Sequence, residues 1–79
     1  MDTTYSIRNW KSITSSSDGN KLAAVEYGGY IYISTDSGSS WTPQTSAGSR
    51  NWESITSSSE GTKLAAVVQN GFIYTYNSF

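Results

Sequence analysis

The sequence predicts an all-β fold made of two tandem, nearly identical antiparallel units. Three observations carry this. A long stretch recurs at a fixed offset of 42 residues, apolar residues alternate with a period of two, and Gly, Asn, Asp and Ser interrupt too often for a long helix.

The repeat is the strongest signal. Arg8-Asn9-Trp10 returns as Arg50-Asn51-Trp52, Ser12-Ile13-Thr14-Ser15-Ser16-Ser17 as Ser54-Ile55-Thr56-Ser57-Ser58-Ser59, and Lys21-Leu22-Ala23-Ala24-Val25 as Lys63-Leu64-Ala65-Ala66-Val67. Between residues 8–34 and 50–76, 18 of 27 positions are identical with no gap. The period falls in the range of about 40–45 residues that a four-stranded β-propeller blade requires. Identity this close also fits a designed or engineered sequence.

Within one repeat four short strands are expected. The first covers 10–15, with Trp10, Ser12 and Thr14 on one face and Lys11, Ile13 and Ser15 on the other. Ser17-Asp18-Gly19-Asn20 supplies turn chemistry. The second strand, 21–26, is nearly continuously apolar, which predicts burial on both faces, and its two alanines predict close sheet packing. Tyr27-Gly28-Gly29-Tyr30 reads as a hairpin turn, replaced in the second copy by Gln69-Asn70-Gly71-Phe72 with its Asn-Gly signal. The third strand spans 30–34. The fourth, 41–45, is expected at an edge because it contains Pro43.

Composition narrows the function classes. There is no Cys and no His, so disulfides, thiolate metal sites and the usual general base are absent. Five basic and six acidic residues give a net charge of −1, with no basic stripe for nucleic acid and no polybasic patch for a membrane surface. The apolar runs 22–25 and 64–68 are far too short to span a bilayer, and the first residues lack the features of a signal peptide. A soluble protein of undetermined compartment is expected. Ser and Thr make up 25 residues, but three Trp, six Tyr and two Phe argue against disorder.

Ser34-Thr35-Asp36-Ser37-Gly38-Ser39-Ser40-Trp41 resembles the Asp-box, S-x-D-x-G-x-x-W, of sialidases and many other bacterial-type propellers. The resemblance implies that Ser34, Asp36, Gly38 and Trp41 are structural rather than catalytic. The Asp36 carboxylate is expected to accept N–H bonds within its own loop, Gly38 to take a positive φ, and Trp41 to fold its ring between sheets.

The second copy has Tyr76-Asn77-Ser78-Phe79 where the box would begin, while residues 2–7 precede the first repeat as 42–49 precede the second. Residues 2–7 therefore read as a displaced outer strand, followed by blade repeats over 8–49 and 50–79, the latter lacking its outer strand. Two blades alone expose broad faces, so the expected assembly is a homo-oligomeric ring. Strand exchange between copies would close it as a trimer of six blades or a tetramer of eight.

No catalytic residues, cofactor or metal are expected. Sialidase chemistry resembles a three-arginine clamp, and this chain has only the repeat-equivalent Arg8 and Arg50. Without His no Ser-His pair can form. The alternative function is a multivalent, lectin-like propeller that binds a sugar. Tyr27, Trp10, Trp52, Arg8 and Arg50 are its candidate contacts, with Tyr27 foremost because its counterpart is Gln69 at a turn.

Overall fold

The computed structural model describes residues 8–77, the last by its backbone alone. Among the described residues seven strands follow one another: β1 Trp10–Ser15, β2 Leu22–Gly29, β3 Ile31–Ser34, β4 Thr42–Gln44, β5 Arg50–Ser57, β6 Lys63–Val68 and β7 Ile73–Asn77. A 3₁₀ turn, Thr45–Ala47, lies between β4 and β5. The chain is all-β, and its antiparallel sheet curls into a half-barrel. The expected outer strand at 2–7 lies outside the described residues.

Each repeat forms an antiparallel meander. In the first, β1 pairs with β2, β2 with β3, and β3 with β4. In the second, β5 pairs with β6 and β6 with β7 in the same register. The two meanders join where Tyr27 and Gly29 of β2 lie opposite Asn51 and Arg50 of β5. This join explains why β2 runs on to Gly29, past the 21–26 read from the sequence. The fourth strand is shorter than expected, with Pro43 opposite Tyr32 at the sheet's edge.

The first strand departs from simple alternation. Trp10 lies opposite Glu26 while Ser12 lies opposite Val25, so Lys11 is an extra residue and forms a β-bulge. Trp52, Glu53 and Ser54 repeat the bulge in β5. Two residues facing one partner reverse the alternation. Trp10 therefore shares a face with Ile13 and Ala24, not with Ser12 and Thr14 as the uninterrupted pattern predicted.

The turns follow their side chains. The Ser16 hydroxyl donates to Asp18 Oδ1 at 2.6 Å and the Asn20 N–H donates to the same oxygen at 2.9 Å. These bonds hold the Asp18 carboxyl below its ordinary pKa, the Ser16 bond contributing most. Gly19 and Gly61 take φ of 74° and 78° in the equivalent turns. Asn70, in the expected Asn-Gly hairpin, has φ 57°.

One buried cluster joins the repeats. Ala23, Val25, Ile31 and Ile33 of the first repeat pack on Trp52, Ile55, Leu64 and Ala66 of the second. Each fully covered large side chain contributes about 1.5–3 kcal/mol, so most of the fold's hydrophobic stabilisation lies in this contact between copies.

Candidate functional site

Each meander has two faces. Register places Trp10, Ile13 and Ala24 on one, here termed the indole face, and Ala23, Val25, Ile31 and Ile33 on the other, the valine face. The second repeat divides in the same way, with Trp52, Ile55 and Ala66 against Ala65, Val67, Ile73 and Thr75. The core is therefore the valine face of the first repeat packed on the indole face of the second.

The valine face of the second repeat is open; on the indole face of the first, Ala24 and Tyr32 are buried, while Trp10 and Ile13 are more exposed than their equivalents. Ile55 is 5% exposed while its equivalent Ile13 is 62% exposed, and Trp52 is 0% exposed against 36% for Trp10. On the opposite face Val25 is 0% exposed and Val67 37%, while Ile31 is 6% exposed and Ile73 73%. The molecule carries an open valine face at one end and, at the other, an indole face on which Ile13 and Trp10 keep exposed surface.

The covered junction has a dense polar frame. Ser17 N–H donates to the Ser59 carbonyl at 2.7 Å. Ile55 N–H donates to Ser12 Oγ at 3.4 Å, Ser57 Oγ donates to the Ser15 carbonyl at 3.0 Å, and the hydroxyls of Thr14 and Ser57 meet at 3.3 Å. At its rim Lys11 Nζ lies 3.6 Å from Glu53, and the Tyr27 hydroxyl donates to Gln69 Oε1 at 2.7 Å. Gly61 is buried here because a Cβ would stand 2.9 Å from Lys21 Cβ and 3.1 Å from Ser16 Cβ.

The loop between β3 and β4 is closed by its own side chains. Asp36 Oδ1 accepts from Ser34 Oγ at 2.8 Å and from Ser40 N–H at 2.9 Å, and Oδ2 accepts from Ser40 Oγ at 2.6 Å. Ser34 Oγ accepts from Gly38 N–H at 2.9 Å. The bonds from Ser40, then that from Ser34, lower the Asp36 pKa to about 2. Ser37 and Gly38 have φ of 62° and 93°. Trp41 Nε1 donates to the Gly38 carbonyl at 3.1 Å, with its ring over Gly38. Trp41 stays half-buried and lies outside the inter-repeat cluster, so its ring caps its own loop instead of entering between sheets.

The candidate sugar contacts fall into two equivalent stacks and one separate residue. Trp10 meets Tyr32 edge-on at 5.2 Å, with the Arg8 guanidinium 5.3 Å from the tyrosine ring and 3.5 Å from Glu26. Trp52 meets Tyr74 at 5.2 Å, with Arg50 at 4.8 Å, and Arg50 Nε donates to the Ala47 carbonyl at 2.8 Å. Arg8 and Arg50 thus serve two stacks and form no common clamp. The indole N–H of Trp52 is buried without an acceptor. Tyr27 follows the last β2–β3 pair, Val25–Ile31, where the chain turns back, and there pairs with Asn51 of β5. It lies half-buried in β2, with its N–H donating to the Asn9 carbonyl at 2.9 Å and Lys11 5.5 Å from its ring.

Depressions lie among the described residues. An open one of about 320 Å³ is bounded by Asn9, Trp10, Lys11 and Tyr27. A deeper one of about 240 Å³ lies between the repeats, with Ile31, Ile33, Ile55 and Leu64 in its walls and Gln44 and Ser46 beside them. Among the described residues no group of three acidic, His or Cys side chains gathers, and no helix is long and apolar enough to cross a membrane.

The sequence pattern did not single out Lys11 and Gln69, although Lys11–Glu53 and Tyr27–Gln69 each pair one position of the repeat with its own equivalent. The signal available was their divergence within an otherwise repeated stretch. Comparison with protein-family models, with curated proteins and with solved structures finds no match.

Proposed function

We propose that this chain is a structural self-assembling module, its two meanders being blades of a β-propeller and its copies joining into a homo-oligomeric ring. One observation carries the reading. The valine face that receives the second repeat inside the chain recurs, open, on the second repeat, and Ile13, the equivalent of the Ile55 that such a face receives, is exposed at the other end. A plug and socket on one molecule form a heterologous contact, which generates a ring when the rotation closes. The Asp36 loop is then an Asp-box serving as a structural clasp, in keeping with a carboxylate whose acceptor positions are taken by its own loop.

The test is mass in solution. Light scattering at micromolar concentration is expected to give one discrete species of three or four chains, since propellers have about four to eight blades. A monomer that keeps its fold throughout the micromolar range overturns the reading.

A second reading, multivalent sugar binding, draws support from the open depression where Trp10 and Tyr27 lie beside Asn9 and Lys11. Aromatic surface next to amide and ammonium donors suits a carbohydrate. Titration calorimetry with a panel of monosaccharides and disaccharides tests it, and heat from any of them at millimolar concentration favours it over the ligand-free module.

A further inference from the structure

The two repeats are identical over most of the strands that form their junction; they differ at its rim and, in or against the buried cluster, at Ile33 against Thr75 and at Glu26 against Val68. Position 11 is Lys where position 53 is Glu, and position 27 is Tyr where position 69 is Gln. Inside the chain these unlike residues face each other across the junction.

We infer that the next copy of the chain docks on the open valine face through the same contacts taken in reverse order, so that Lys and Glu alternate around the assembly. This rests on the self-assembly proposed above and names the residues that set its order. The polar frame of the internal junction uses main-chain groups and hydroxyls found in both repeats. Ser54, Thr56 and Ser57 can offer an incoming Ile13 and Ser15 what Ser12, Thr14 and Ser15 offer Ile55 and Ser57. At the rim Glu53 then meets the Lys11 of the next copy, and Gln69 meets its Tyr27. Opposite charges adjoin at every junction, within chains and between them. Head-to-tail docking sets a Lys11 against every Glu53, so the charge pattern favours that order.

The doubly exchanged variant, Lys11→Glu with Glu53→Lys, tests this without disturbing the internal pair. Each molecule keeps one Lys and one Glu across its own junction, and the variant is expected to assemble alone as the wild type does. A junction between the two kinds places Glu beside Glu or Lys beside Lys. Wild type labelled with ¹⁵N, mixed with the variant under conditions of subunit exchange and read by native mass spectrometry, is expected to give mixed assemblies depleted about threefold to tenfold below the random proportion at low salt. The depletion is expected to fade at high salt, because half-exposed charges are screened. Random mixing at low salt, with both proteins assembling, overturns the pairing and leaves self-assembly standing. A monomeric wild type overturns both.

Discussion

The hydroxyl of Tyr27 donates to Gln69 Oε1 at 2.7 Å, and the two residues occupy the same position in consecutive repeats, 42 residues apart. A bond between equivalents cannot be made with one residue type as readily as with two. Here a phenol meets an amide oxygen at the exposed rim. Tyr27→Phe is expected to lower the stability of the chain by no more than about 0.5–1.5 kcal/mol. Urea unfolding of Tyr27→Phe, of Gln69→Ala and of the double mutant measures the coupling. Strict additivity of the two changes would show that the bond contributes nothing.

Ile13 and Ile55 offer a comparison in which residue type and local sequence are held constant. Ile55→Ala is expected to cost about 2–5 kcal/mol of folding stability, because it empties part of the buried cluster. Ile13→Ala is expected to leave unfolding of the dilute chain nearly unchanged while weakening its assembly. Chemical denaturation at low protein concentration, paired with sedimentation, separates the two. An equal loss of stability from both variants would contradict the exposure of Ile13 on the indole face.

Gly19 and Gly61 give a second comparison. Both have φ near 75°, so replacement by Ala costs each about 1–2 kcal/mol of backbone strain. Only Gly61 has neighbours on the other repeat within contact of a Cβ, whereas nothing stands within 4 Å of Gly19. Gly61→Ala is therefore expected to lower the midpoint of thermal unfolding further than Gly19→Ala. If self-assembly holds, Gly19→Ala will also raise the concentration at which copies associate, since Lys63 and Ser58 of a neighbour would reach it.

Asp36 links the β3–β4 loop to pH. Its folded pKa is depressed to about 2 by the Ser40 and Ser34 bonds. A depressed carboxyl contributes stability that is complete above its ordinary pKa near 4 and is lost as pH falls through the folded value. The loop is thus expected to loosen between about pH 4 and pH 2, read by NMR of the Asp36 carboxyl carbon. Ser40→Ala removes the leading cause and should move that midpoint upward. An unchanged midpoint would assign the depression to another group.

What could be read from residues was what depends on neighbours close in sequence. The turn at Asp18 and the clasp at Asp36 were legible because their partners, Ser16 and Asn20 or Ser34 and Ser40, lie within four residues. The meander order followed from turn residues and period. The bulge at Lys11 was not legible, because one uncompensated residue leaves the composition unchanged and moves Trp10 to the opposite face. The turn after Val25 was legible, but the pairing of Tyr27 with Asn51 of β5 was not, because the local sequence does not contain that contact. That two blades alone leave faces exposed was legible, but which of Ile13 and Ile55 is covered was not. Identical residues in near-identical surroundings differ only in whether another repeat stands in front of them.

Under the proposed assembly, the bulge would bear on how far copies accumulate. It turns Trp10 and Ile13 toward the same side, and such an anchor would fix the angle at which a next molecule is set down. Growth from it would stop only if successive angles summed to a full circle. A deletion of Lys11 that restored plain alternation would aim the indole elsewhere, and the same adhesive surfaces would then grow into spirals without a terminus.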